Sequence, residues 1–353
     1  MKIAILNDTH CGIRNSSEIF LNNAAKFWDE VFFPNCIKNN VKQVVHLGDY
    51  YDHRKFVNFR ALNHNRKHFL NRLRELGMTM DIIPGNHDTY YKNTNDLNAL
   101  KECLGHYMNE INIVMEPRVM EYGSLRMALL PWICNENYDQ SMNFIKNCRA
   151  DWMGAHLELK GFEMMRGITA HDGMDRKIFQ KFELVMTGHY HVSSKKDNIW
   201  YLGSQMEFFW SDAHDTKSFH IVDTETREVQ MIKNPNTLFQ KILYDDSKHD
   251  YSTYDFEKLD NKFVKIVVIN KHDLFTFDTF VDRIHNRKIH ELKIAENFNE
   301  FIGENVEDEG ISVEDTSELL DSYVDAVDTE LDKDRLKSNM RNLLSEAQAL
   351  EIV

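Results

Sequence analysis

Five short polar clusters, each placed where an apolar run ends, constrain this chain more than any other feature. They are Asp8-Thr9-His10, Gly48-Asp49, Gly85-Asn86-His87-Asp88, His156 and Gly188-His189-Tyr190-His191. The runs before them (residues 1–6, 41–47, 78–83, 151–156 and 182–187) have the length and composition of buried strands. Pro84 and Gly85 punctuate a tight exit from the third of these runs. Polar residues at the C-terminal ends of apolar strands sit where open α/β sheets place their chemistry.

The residue types in the clusters are those of metal ligands. Residues two apart on an extended chain point the same way, about 7 Å apart along the backbone. Asp8 with His10, and His189 with His191, can therefore each reach into one site. Imidazole, carboxylate and amide oxygen suit borderline divalent ions such as Mn²⁺, Fe²⁺ or Zn²⁺, and the lack of thiolate argues against a structural zinc site. A carboxylate such as Asp49 can bridge two ions, and two ions about 3.5–4 Å apart stabilise both oxygens of a phosphoryl transfer. Taken singly, each residue has a plainer reading. The chain holds 17 histidines, most of which need no function, and a lone Asp after a strand commonly caps a turn. The agreement of all five clusters in one order favours a site with two metals.

Helical spacing fills the gaps between the runs. Ser16-Ser17-Glu18 starts a helix with Phe20, Ala24, Phe27 and Val31 on one face, and further helices are expected over about 56–76, 95–107 and 140–148. Strands are expected at 111–116, 119–122, 125–132, 200–202, 218–223 and 228–233, the last two as a hairpin around Thr224-Glu225-Thr226-Arg227. Repeated strand-then-helix order defines an α/β layered fold. After Asn234-Pro235-Asn236 the texture changes to a smaller α/β unit, with strands at 263–269 and 292–294 around a helix at 275–287. Gly303 and Gly310 flank an acidic linker, and two narrow-seamed helices follow. Leu320, Val324, Val327 and Leu331 line the first; Leu336, Met340, Leu343, Ala347 and Leu350 line the second.

Composition excludes some classes and leaves others open. The 353 residues are 42% hydrophobic and 28% charged, with no run near the ~20 apolar residues of a membrane span. The first six residues are too short for a signal peptide, and five scattered cysteines without a CxxC point to reduced thiols and a cytoplasmic setting. The net charge of −14 is concentrated: thirteen of the 56 acidic residues lie between Glu304 and Asp334, where Lys333 is the one basic residue, leaving 43 acidic and 41 basic elsewhere. A near-neutral body does not exclude DNA as substrate.

The joint pattern D-x-H, G-D, G-N-H-D, H and G-H-x-H resembles the calcineurin-like metallophosphoesterase superfamily. Within it the chain is similar to the SbcD/Mre-eleven nucleases of double-strand-break repair, and in particular to the recombination endonuclease subunits of T-even-type bacteriophages. Gly48 to Lys55, Pro131 to Asn137, His156 to Phe162 and Phe219 to Thr226 carry that closer likeness. The resemblance implies a four-layer αββα sandwich over 1–235, a DNA-binding capping domain over 236–303, and over 304–353 an acidic linker with a helical pair. It implies one metal held by Asp8, His10, Asp49 and His191, and a second held by Asp49, Asn86, His156 and His189. His87 would contact the scissile phosphate, Asp88 would orient it, and His53 and Arg54 would meet substrate. Two Mn²⁺, or Mg²⁺ in their place, would serve cleavage of DNA ends in recombination, repair and replication. An SbcC-type coiled-coil ABC ATPase would dock on 311–353, and a homodimer would form through helices in 56–107 (Leu62, Phe69, Leu73, Leu97, Leu100, Leu104), residues that could equally be ordinary core, with no membrane involved. His285-Asn286-Arg287-Lys288 with Lys293 would offer phosphate contacts, and the host-cell cytoplasm would be the compartment of a phage-encoded chain. The rival readings are a small-molecule phosphodiesterase or protein phosphatase on the same fold, and a DNA-binding scaffold for the ATPase.

Overall fold

A computed structural model of the chain describes residues 1–295 except 166, 167 and 171, together with 324, 332, 333, 335–337 and 340. The chain divides into two compact units, Met1–Glu296 and Asn297–Val353. The acidic linker and nearly all of the two terminal helices lie outside the described residues, as does the docking segment expected there.

Four parallel strands open the first unit: β1 (Lys2–Leu6), β2 (Gln43–His46), β3 (Thr79–Ile82) and β4 (Ile111–Ile113). A second group comprises β5 (Arg118–Tyr122), β6 (Leu125–Leu130) and β7 (Trp152–His156), then the short pair β8 (Glu163–Met165) and β9 (Ile168–Thr169). After these come β10 (Leu184–Gly188), β11 (Ser194–Lys196) and β12 (Ile199–Tyr201), followed by the hairpin β13 (Ser218–Asp223) and β14 (Val229–Lys233). They assemble into two six-stranded sheets, ordered β14-β13-β1-β2-β3-β4 and β11-β12-β10-β7-β6-β5. In the second sheet β6, β7, β10 and β12 are parallel neighbours.

Alternation along the strands builds the layers. Side chains of successive strand residues point to opposite faces. Ala4 and Leu6 of β1 enter a core with Phe27, Trp28, Phe32 and Phe69 on the helical side. Ile3 and Ile5 enter a second core with Met127 and Leu129 of β6, between the sheets. Ala128 and Leu130 of β6 face a third core with Ile145 and Phe179. Strands buried on both faces read as continuous apolar runs, which is why residues 3–6 and 127–130 do not alternate in polarity. The order helix, sheet, sheet, helix is the expected four-layer αββα sandwich.

Three differences from the sequence reading have local causes. The first helix runs in unbroken segments Glu18–Lys26, Phe27–Phe32 and Phe33–Lys38, the middle one a wider π-turn that brings Phe27, Trp28, Val31 and Phe32 inward. A strand at β15 (Phe239–Asp245) was not expected, because Gln240-Lys241 interrupts the apolar alternation. It joins β16 (Phe263–Asn270) and β17 (Glu291–Ala295) in a parallel three-stranded sheet, with the helix Leu274–His285 packed through Phe277, Phe280 and Ile284. Finally, Phe69, Leu73, Leu100 and Leu104 are core residues of the chain itself, so four of the six side chains expected at a dimer interface are not available to one. Phe59, 86% exposed, and Leu97, 40% exposed, remain on that surface.

Candidate metal centre

The C-terminal ends of β1, β2, β3, β7 and β10 open on one place, and every residue expected as a ligand lies there. The turns that deliver them are tight. Asp8, His10, Asp49 and His189 have φ of 47°, 42°, 54° and 96°, in the left-handed region that Asp and His enter more readily than most residues. Such conformations cost about 1–3 kcal/mol each and cluster at working sites. Gly48 and Gly85 let two strand exits touch. A Cβ on Gly48 would lie 2.6 Å from His156 Nδ1, and one on Gly85 would collide with the carboxylate and amide of Asp49.

The donor atoms form three groups within 4.8 Å: Asp8, His10 and His191; Asp49, His156 and His189; and His10, Asp52 and His87. His10 Nε2 and His191 Nε2 are 3.1 Å apart. Asn86 Oδ1 is 2.9 Å from both His156 Nε2 and His189 Nδ1, and Asp49 Oδ2 lies 3.2 Å from His156 Nε2 and 3.8 Å from His10 Nε2. Asp49 thus stands between the two groups.

The chemistry of this donor set fits divalent cations. His156 Nδ1 donates to the Leu47 carbonyl at 2.8 Å, so in the neutral ring Nε2 offers a lone pair toward Asn86 Oδ1 and Asp49 Oδ2. With the ring neutral three acceptors converge on one another, which a cation satisfies, as a proton on Nε2 does in its absence. Electrostatics agree. Burial pushes the Asp8 carboxyl up, whereas the charges of His156 and His87 hold Asp49 well below the usual carboxylate range against its burial. Burial works against a charge on His10, yet Asp52, Asp49 and Asp8 raise it to about 9; Asp49 does the same for His156, also to about 9. Burial drives His189 down to about 3, and burial with the neighbouring His10 charge drives His191 well down. A field that gathers protons on two imidazoles favours divalent cations in their place, so ion uptake releases protons and strengthens as pH rises.

One expected role is corrected. Asp88 does not orient the His87 ring. Its carboxylate accepts the main-chain N–H groups of Gly85 at 2.9 Å and of Tyr50 and Tyr51 at 3.0 Å, locking the β2 and β3 exits together. Burial and the Asp49 charge raise it to about 7. His87 instead donates from Nδ1 to the Asp52 carbonyl at 2.6 Å, and its main-chain N–H binds Asp49 Oδ1 at 2.8 Å. His53 stacks on Phe56, with ring centroids 4.4 Å apart, and its Nε2 lies 3.6 Å from Asp52 Oδ2; Arg54, next in sequence, is half-buried. Arg287, expected to meet phosphate, is held by Asp260 through Nε at 2.9 Å and Nη2 at 2.5 Å.

Sequence reasoning missed three supporting residues. Asp52 Oδ1 lies 3.3 Å from His10 Nδ1. Asn7 Nδ2 donates to Asp8 Oδ2 at 2.5 Å and to the Gly203 carbonyl at 2.9 Å. Trp132 packs its ring on His156 and His189, at centroid distances of 5.8 and 5.5 Å. Asn7 and Asp52 adjoin or closely follow ligands in the sequence, a signal that could have drawn notice. Trp132 gave none beyond its place in the family-like stretch.

A buried cluster of imidazoles and carboxylates around Asp49 fits a metal-dependent phosphoesterase, a hydrolase. Residues 1–193 match the calcineurin-like phosphoesterase family, and the chain belongs to it. Exonuclease subunit 1 of Enterobacteria phage T4 is 27% identical over 337 residues, covering 95% of this chain and 95% of that protein. Among solved structures, one described as a novel archaeal phosphodiesterase aligns with 66% of this chain and 100% of its own at 18% identity, with a TM-score of 0.34. That score is too low to carry an argument. Among the described residues no helix is long and apolar enough to cross a membrane.

Proposed function

We propose that this chain is the nuclease subunit of an SbcC–SbcD-like complex, hydrolysing phosphodiester bonds at DNA ends in recombination, repair and recombination-dependent replication. The observation that carries the reading is the full-length match to a phage exonuclease subunit, which spans 95% of both chains and so includes the three-stranded sheet as well as the metal centre. A small-molecule phosphodiesterase has no need of that sheet. We read the sheet region, 236–303, as a capping domain for DNA and the segment 311–353 as the dock for a coiled-coil ABC ATPase. The exposed side of the helices in 56–107 is the proposed homodimer surface, and the host-cell cytoplasm the compartment.

Asp8, His10, Asp49 and His191 would hold one ion, and Asp49, Asn86, His156 and His189 the other. Two divalent ions, Mn²⁺ in our reading with Mg²⁺ as the substitute, supply Lewis acidity toward the phosphate and a nucleophile from water at neutral pH. The chain supplies placement and a proton. With Nδ1 fixed on the Asp52 carbonyl, the exchanging nitrogen of His87 is Nε2, the atom left to stabilise the leaving oxygen. His53 and Arg54 are the residues we read as meeting the DNA backbone.

His87→Ala tests the assignment. It should retain two Mn²⁺ and lose about 100-fold or more of its cleavage rate on duplex DNA ends. Wild-type cutting by that variant removes His87 from the chemistry. Faster turnover of cyclic nucleotides than of DNA ends by the wild-type protein would refute the nuclease reading itself.

A further inference from the structure

The segment 203–217 between β12 and β13 carries a buried ammonium. The Lys217 side chain is 3% exposed and that of Asp212 2% exposed. Taking an ammonium out of water costs several kcal/mol unless its charge and its protons are matched. Asp212 Oδ1 at 2.8 Å and Asp215 Oδ2 at 3.1 Å already match the charge. Lys217 makes a third contact that neutralisation does not require: Nζ donates to the main-chain oxygen of His191 at 2.9 Å.

That carbonyl is gripped twice, because Ser204 N also donates to it at 3.1 Å. Two donors from one loop fix the peptide plane that follows His191, and with it the direction in which the side chain leaves the turn. The same loop walls the ring. Phe208 meets His191 edge-on at a centroid distance of 5.3 Å, and Phe209 lies parallel to it at 6.1 Å. Asp212, the partner of Lys217, sets that wall by accepting the N–H groups of Phe208 at 2.8 Å and Phe209 at 3.0 Å. One ion pair therefore controls both the main chain and the ring surroundings of His191.

We propose that Lys217 is a positioning residue for the metal centre: with Asp212 it holds His191 so that its Nε2 meets His10 Nε2 at the place of one ion. This rests on the reading of His191 as a ligand. Residues that orient ligands typically change metal affinity 10–100-fold when removed.

The test is a Mn²⁺ titration of the metal-free full-length chain, followed by the electron paramagnetic resonance signal of free Mn²⁺. Lys217→Met should bind one ion at wild-type affinity and the other at least tenfold more weakly. Asp215→Asn, which keeps the Lys217–His191 contact, should bind both as wild type does. Should Lys217→Met not fold, Asp212→Asn replaces it and should weaken the same ion by a smaller factor. Wild-type affinity for both ions in Lys217→Met, or in Asp212→Asn where that variant stands in, overturns the proposal. Equal weakening by Asp215→Asn also overturns it, since the effect would then be loosening of the loop. His191→Ala separates the two levels of inference. If it still binds two ions, the ligand reading fails. If it loses one while Lys217→Met keeps both, only the role of Lys217 fails.

Discussion

Among the described glycines, Gly85 leaves the least room for a side chain. Its missing Cβ is the space in which Asp49 sits, and the next residue, Asn86, is within 2.9 Å of two imidazoles. Gly85→Ala should cost about 3 kcal/mol through overpacking and should reduce the bound metal below two ions, read by urea unfolding and metal analysis. A variant with wild-type stability and two ions would show that the strand exits can part. The clustered residues were legible because a metal site draws on few residue types, and these fell at recognisable strand ends. Their supports were less so. The Lys217–His191 contact spans 26 residues of sequence and the Asn7–Gly203 contact 196, and neither lysine nor asparagine is unusual on its own. Asp88 shows the opposite error. The family resemblance implied a partnership with His87, but a carboxylate facing three main-chain N–H groups satisfies them first.

Elements announced themselves where burial was two-sided. The runs at β1, β2, β3, β7 and β10 were readable because a central strand must be apolar throughout. β15 was not, since its partners supply the burial that its own pattern hides. Phe239 at its start stacks on Phe263 of β16 at 5.3 Å and meets Trp210 of the 203–217 segment at 4.9 Å. Glu207, 1% exposed, accepts the N–H groups of Leu238 and Phe239 at 2.6 and 2.9 Å. The three-stranded sheet is thereby anchored to the loop that walls His191. Phe239→Ala should remove about 3–5 kcal/mol of packing and be felt first as faster amide exchange across 239–295. Uniform loss of protection over the whole chain would instead place Phe239 in the common core.

At the scale of the whole molecule, the stacking of two sheets leaves a histidine sealed between them. His220 on β13 is 0% exposed and faces Trp200 of β12 at 4.9 Å. Burial lowers it to about 4. The unfolded chain therefore takes up this proton first as pH falls, near 6.5, and stability is lost between about pH 6.5 and 4. The loss approaches about 3 kcal/mol at the acid end. His220→Leu should flatten the stability profile over that window relative to wild type in urea unfolding at successive pH values; parallel profiles would mean that the ring escapes protonation by moving. The layered architecture was legible from element order, whereas the sealing of His220 was not, because it depends on which strands of two sheets come face to face. The metal centre has a consequence of the same kind. Its donors come from both sheets, joining His10 to His191 across 181 positions and Asn86 to His189 across 103. A divalent ion held by these donors would act as a reversible rivet between the halves of the sandwich, closing loops far longer than most disulfides close. Catalytic readiness and mechanical integrity would then draw on the same bonds, and withholding the ion should loosen the protein as well as silence it.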